Sequence, residues 1–79
     1  MDTKFERIDY EIASLETVNS SYNIGNFARE TQKYIALVRE YADQLGPAEA
    51  RRRLKEKGDE LSAYCLPCVA TLESAAMKY

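Results

Sequence analysis

The two cysteines near the C-terminus are the residues of this chain most able to do chemistry. They lie three positions apart in Cys65-Leu66-Pro67-Cys68, and the 79 residues contain no other cysteine. On an α-helix this spacing places both thiols on one side. Such a pair can exchange with disulfides, contribute two ligands to a metal, or pack as small buried groups. We expect packing, with redox chemistry and metal binding as alternatives.

A proline between the two cysteines resembles the dithiol of thioredoxin-like proteins. The resemblance covers these four residues, from Cys65 to Cys68. A thioredoxin-type site lies where a β-strand enters a helix within a βαβ unit. No segment of this chain has the pattern of such a strand, so the resemblance implies neither a fold nor a catalytic role.

Metal binding at Cys65 and Cys68 would need a second chain. A structural zinc site takes four ligands, and this chain offers two cysteines and no histidine. Two chains could share one zinc through four cysteines, which is similar to the hook that joins certain paired coiled coils. The lack of histidine also excludes serine triads and cysteine–histidine nucleophile pairs within the chain. We therefore expect no enzymatic activity and no cofactor.

Length and composition favour one small helical domain, covering residues 1–79. The chain is 46% hydrophobic and 30% charged, as in globular proteins, and it has only three glycines and two prolines for tight turns. No run of 18 apolar residues is present, and the charged N-terminus does not resemble a secretory signal. The sequence predicts an all-α, cytoplasmic protein that does not enter membranes.

Residues 27–45 form the best-defined predicted helix. Asn26 is expected to cap its start, and Gly46-Pro47 to end it. Its apolar residues recur at steps of three and four, which aligns them on one broad face. We expect this segment to be the central helix. The residues on that face are Phe27, Tyr34, Ile35, Leu37, Val38, Tyr41, Ala42 and Leu45.

Three further helices are predicted, at about residues 3–19, 48–57 and 59–77. A short turn at 20–25 should bring the first helix antiparallel to the central one. Gly58-Asp59 should separate the last two helices, and Pro67 should kink the final one. The expected fold is a three- to four-helix bundle, in which a C-terminal helix kinked near Pro67 covers an antiparallel helical hairpin.

A basic run follows the central helix. The net charge of −2 argues against nucleic-acid binding, as does the lack of aromatic residues within the run. Glutamates at four-residue spacing favour a solvated helix face. A docking patch for an acidic protein and a nucleic-acid contact are the alternatives. The run consists of Arg51, Arg52, Arg53, Lys55 and Lys57.

The surplus of tyrosine suggests that the protein works by binding another protein. Six tyrosines are many for so small a core, and tyrosine is favoured at interfaces. We expect an interaction module, such as a regulator, adaptor, inhibitor or chaperone-like subunit, that also forms a homodimer. A thiol-redox protein or a zinc-bridged dimer is the alternative. The predicted interface is Tyr34, Val38, Tyr41 and Leu45.

Overall fold

The computed structural model describes residues 2–18 and 24–79, and all regular structure in these two ranges is helical. The predicted all-α fold is thereby confirmed. The predicted end of the first helix at residue 19 and most of the turn at 20–25 lie outside the described residues. The helices are α1 (Asp2–Val18), α2 (Ile24–Glu40), α3 (Ala42–Leu45), α4 (Pro47–Leu61) and α5 (Leu66–Ala76).

Helices α1 and α2 form the predicted antiparallel hairpin. The start of α1 lies beside the end of α2, where Lys4 Nζ is 3.6 Å from Glu40 Oε1. The Phe5 ring also lies 5.9 Å from the ring of Tyr41. Phe5 and Ile12 are buried, so the side of α1 that carries them is the face that this helix turns towards the core.

The predicted central helix is divided in two. Helix α2 begins two residues before the predicted cap, so Asn26 lies in its first turn. Tyr41 leaves helical geometry at φ −102° and ψ 11°, and the short helix α3 follows it. Gly46 ends this helix at φ 84°, with its N–H donated to the Ala42 carbonyl at 2.8 Å. Pro47 then begins α4, as the sequence indicates.

The predicted break at Gly58-Asp59 does not occur, because α4 continues through both residues to Leu61. Gly58 is buried where α4 packs on α5. A Cβ built on it would lie 3.8 Å from the Leu72 Cβ and 3.9 Å from the Val69 Cγ1. Packing along this contact offsets the roughly 1 kcal/mol by which glycine weakens a helix interior relative to alanine.

Pro67 lies at the start of a helix rather than in the middle of one. Residues 62–65 turn the chain, and α5 begins at Leu66, so Pro67 is its second residue. A proline in the first helical turn lacks an N–H that would have no intrahelical acceptor in any case. The bend predicted near Pro67 is therefore the turn between α4 and α5.

The four longer helices surround one core, with α2 in contact with each of the others. Helix α5 runs antiparallel to α4, and it runs parallel to α2, since the starts of α2 and α5 line one cleft. Side chains of α4 reach α1, where the Arg53 guanidinium lies 4.5 Å from the centre of the Phe5 ring. The largest fully buried side chains are Phe27, Ile12, Leu54, Leu61, Leu72, Val38 and Thr31.

Candidate functional site

The predicted interface residues lie largely inside the chain. Tyr34 is 5% exposed and Val38 is fully buried, so neither offers surface to a partner in this structure. The Tyr34 ring packs edge-on against Phe5, and burial raises the pKa of its hydroxyl. Tyr41 and Leu45 are partly buried at the edge of the core. The interface of Tyr34, Val38, Tyr41 and Leu45 stays a prediction, and within it only Tyr41 and Leu45 are more than marginally exposed.

The predicted basic run does not form one patch of free cations. The Arg52 guanidinium binds the carboxylates of Glu49 and Glu56, and Arg53 donates to Glu49 at 3.0 Å. The hydrogen bond from Arg52 is the main reason that the pKa of Glu49 falls to about 2. Arg51 and Lys55 are exposed. Arg52 and Arg53, two of the five cations in the run, are therefore paired with glutamates of α4 itself.

Lys57 is a buried cation rather than part of a solvated face. Its side chain is 8% exposed, and its ammonium donates to Asp9 Oδ1 at 2.7 Å and to Glu60 Oε2 at 2.9 Å. Burial lowers the pKa of Lys57, but the hydrogen bonds that its ammonium donates to the two carboxylates, together with their negative charges, outweigh this effect, so the pKa is raised. Lys57 stays protonated and ties α4 to α1. The sequence signal was its position between Leu54 and Leu61, on the apolar face of α4.

Cys65 and Cys68 form a disulfide at the start of α5, and both residues are buried. The oxidised pair cannot ligate a metal, so the proposed zinc shared between two chains would require reduction first and stays a prediction. Within the described ranges, no three acidic, cysteine or histidine side chains group together as a metal site. Both cysteines are buried, as packing requires, but they are bonded to each other and are not the two separate thiols that the sequence led us to expect.

A small cleft borders the disulfide, between the starts of α2 and α5. Its volume is about 70 Å³. Thr31 is 1% exposed in its wall, and its hydroxyl has no hydrogen-bond partner in the part of the chain that the structure describes. Leu66 and Ile24 lie at the surface in the same region, with 71% and 47% of their areas exposed. The cleft is lined by Ile24, Ala28, Thr31, Gln32, Cys65, Pro67, Cys68 and Thr71.

A second concave surface, the α1/α2 groove, has a volume of about 400 Å³. It was not predicted as a site. Its lining is mainly apolar at the floor, and cations dominate its rim. At two places in the sequence a cation lies three or four residues from an apolar residue: Lys4 precedes Ile8 in α1, and Lys33 precedes Ala36 and Leu37 in α2. The lining residues are Lys4, Arg7, Ile8, Lys33, Ala36, Leu37 and Glu40.

Comparisons with protein-family models, curated proteins and solved structures found no match to this chain. Within residues 2–18 and 24–79, no helix has both the length and the apolar character needed to cross a membrane. What the protein does must therefore be inferred from its own residues and their geometry.

Proposed function

We propose that this protein is a small helical interaction module that acts by binding a protein partner at the α1/α2 groove. The observation that supports the proposal most directly is an apolar floor left open between two helices and bordered by positive charge. Non-catalytic work in the cytoplasm is part of the proposal, and no residue is assigned a catalytic role.

The floor of the groove gives an apolar side chain somewhere to bury. Leu37 reaches it from the core, Ile8 is partly buried beside it, and Ala36 is exposed. Alanine leaves a depression between the larger residues of neighbouring turns. A side chain placed on this floor would lose contact with water on the side that faces the groove, which is a source of affinity at such sites.

The rim of the groove selects for negative charge. It carries three cations, Lys4, Arg7 and Lys33, against one acid, Glu40. Lys4 and Lys33 make ion pairs with Glu40 and Glu30, but these pairs are exposed on the cation side and therefore weak. Among the described residues, no ion pair involves Arg7. An incoming carboxylate would meet a net positive rim.

A groove between two helices with these properties suits an amphipathic helix. Such a ligand would place an apolar stripe on Ile8, Ala36 and Leu37 and acidic residues against the rim. We propose this partner chemistry: a helix with apolar residues at three- and four-residue steps, flanked by Glu or Asp. Self-association as a homodimer, with Tyr41 and Leu45 at its edge, remains part of the proposal.

A designed peptide tests the groove directly. The probe is a helical peptide with leucines at three- and four-residue spacing and glutamates on both flanks, and binding is measured by calorimetry. Ala36→Glu places bulk and negative charge on the floor and should weaken binding at least about tenfold, or about 1.4 kcal/mol. Ala48→Glu is the matched control, because Ala48 is exposed on α4 outside the groove.

Two results would count against the groove. One is equal binding by the wild-type protein and Ala36→Glu. The other is equal binding of a peptide in which lysines replace the glutamates, since a positive rim should repel it. Circular dichroism on both variants establishes that each retains its helices.

A further inference from the structure

The disulfide at the start of α5 has features that a purely structural crosslink does not need. We propose that Cys65 and Cys68 form a reversible thiol–disulfide exchange site whose substrate is a thiol. This activity goes beyond partner binding at the α1/α2 groove, and it would stand if that groove bound nothing. Three observations support it: the short span of the bond, its position on α5, and the cleft beside it.

The bond adds little as a crosslink. It joins residues three apart in sequence. The backbone around it is already held by two hydrogen bonds, from Cys65 N–H to the Leu61 carbonyl at 2.8 Å and from Val69 N–H to the Cys65 carbonyl at 3.3 Å. The stabilisation from a disulfide decreases as the closed loop shortens. Breaking this bond should therefore leave the fold intact, which is what a reversible site requires.

The position of Cys65 favours its thiolate form once the bond opens. Cys65 is the N-cap residue of α5, with extended backbone at φ −149° and ψ 93°. The N–H groups of the first helical turn have no intrahelical acceptors. Cys65 makes no side-chain cap hydrogen bond while it is in the disulfide, and once the bond opens its thiolate could accept the N–H three residues on, that of Cys68. The positive end of the helix adds to this effect.

The cleft provides both access and a polar contact. At about 70 Å³ it has the volume of roughly two water molecules, enough for the tip of a thiol-bearing side chain. Thr31 lines this space and is 1% exposed, and its hydroxyl oxygen, which is closed off from solvent, has no hydrogen-bond partner among the described residues. A buried hydroxyl without a partner is unfavourable. If the Thr31 side chain rotates towards the cleft, a sulfur atom that enters there would give it one.

The exchange balances in two displacements. A thiolate RS⁻ attacks Cys65 Sγ, a bond forms between the two sulfurs, and the bond to Cys68 breaks, so Cys68 leaves as a thiolate and takes up a proton. A second RS⁻ attacks the sulfur of the bound R group and expels Cys65 as a thiolate. Two RSH are oxidised to RSSR, and the protein disulfide is reduced to two thiols. The reverse sequence oxidises the protein.

Glutathione is the first probe. The native protein is equilibrated in buffers of reduced and oxidised glutathione, and free thiols are counted. We expect two thiols to appear reversibly with unchanged circular dichroism. The Cys68→Ser variant should form a stable mixed disulfide with glutathione at Cys65, about tenfold faster than Cys65→Ser forms one at Cys68. Reduction only in denaturant, unfolding on reduction, or the opposite order of the two variants would overturn the proposal.

The cleft is tested by a matched pair of threonine variants. Thr31→Val removes the unpaired hydroxyl and keeps the shape of the side chain, so the protein should fold and exchange should slow several-fold. Thr71→Val is the control, because its hydroxyl lies in the same cleft but already donates to the Pro67 carbonyl at 3.0 Å. Equal rates in the wild type and Thr31→Val would remove the cleft from the mechanism and overturn the proposal.

The exposed Leu66 distinguishes two sources of the thiol. A peptide with apolar residues beside its cysteine would contact Leu66, whereas glutathione has none to place there. If Leu66→Ser slows exchange with such a peptide and not with glutathione, the site acts on protein thiols. If it slows neither, the site acts on small thiols. If neither probe exchanges with the native wild-type protein, no exchange site exists.

Discussion

Glu16 is a side chain whose burial as a carboxylate lowers the stability of the folded protein. Its Oε1 atom is buried and has no hydrogen-bond partner within residues 2–18 and 24–79. Burial is the main reason that the pKa of Glu16 rises above its usual 4.5, and the negative charge of Glu60 adds to this, while the positive charge of Lys57 opposes it. At neutral pH the folded protein therefore holds this carboxylate in a less favourable environment than the unfolded chain does.

Replacing this carboxylate by a neutral amide should stabilise the protein at pH 7. The raised folded-state pKa means that Glu16 contributes stability below its unfolded pKa, and that this contribution is lost as the pH rises through the folded pKa. Glu16→Gln should thus raise the free energy of unfolding at pH 7, where the wild-type carboxylate is ionised. The gain should vanish below pH 4.5, where both side chains are neutral.

Urea unfolding at pH 7 and pH 4 measures the effect of Glu16→Gln. Glu11→Gln is the control, because Glu11 is exposed on the same helix. A loss of stability in Glu16→Gln at pH 7, or an equal gain in both variants, would show that burial of the Glu16 carboxylate is not the cause.

At the scale of helices, α4 contains one glycine with helical backbone geometry, Gly58, and is preceded by one with a positive φ, Gly46. Gly58 is helical, and a Cβ there would make ordinary contacts at 3.8 and 3.9 Å. Gly46 has no atom within 4 Å of a built Cβ, but its φ of 84° is one that residues with a side chain rarely adopt. Space is therefore available at both positions, and backbone geometry separates them.

The same substitution should change stability in opposite directions at these two sites. Gly58→Ala should stabilise the protein by about 0.5–1 kcal/mol, because alanine is the better helix former and the packing accommodates its methyl group. Gly46→Ala should destabilise it by about 1–2 kcal/mol through backbone strain alone. Thermal unfolding of both variants tests this, and each serves as the other's control. Destabilisation by Gly58→Ala would mean that α4 and α5 pack more tightly than these distances indicate.

At the scale of the whole molecule, the accessible surface area is that of a compact monomer. Its accessible surface area is 5028 Å², close to the roughly 4,900 Å² expected for a compact monomer of 9.0 kDa. Total area therefore gives no sign of a surplus. The case for a partner depends instead on where exposed apolar atoms lie, at the α1/α2 groove and around Leu66.

The predicted homodimer can be tested without knowing its interface. If folding and association are linked, the unfolding temperature of the wild type should rise by roughly 5–10 °C over a hundredfold increase in protein concentration. Tyr41→Ala should reduce this dependence and lower the sedimentation coefficient. Tyr41 also packs on Phe5, so some loss of monomer stability is expected as well.

A concentration-independent unfolding temperature would show that the protein is a monomer. Unchanged sedimentation of Tyr41→Ala, with a loss of stability alone, would remove Tyr41 from the interface. Neither result affects the groove proposal, because the groove is proposed to bind a different helix.

The sequence by itself determined that the chain is helical, that a helix ends at Gly46-Pro47, and most of the faces that the helices bury, but not the helix boundaries near Tyr41, Gly58 and Pro67. Helix formation and helix ends depend on local geometry, which neighbouring residues encode. The local signals here are the periodic apolar residues, Gly46-Pro47 and the scarcity of turn residues. Phe5, Ile12, Val38 and Leu72 accordingly lie in the core, as their spacing predicts.

Tertiary packing alone decided which polar and small groups were enclosed. Gly58 does not break α4 because α5 packs on it, and Lys57 is buried because Asp9 and Glu60 meet its ammonium. The α1/α2 groove and the cleft beside the disulfide exist only where two helices meet. Such features depend on distances between residues far apart in the chain, and local patterns contain no information about those distances.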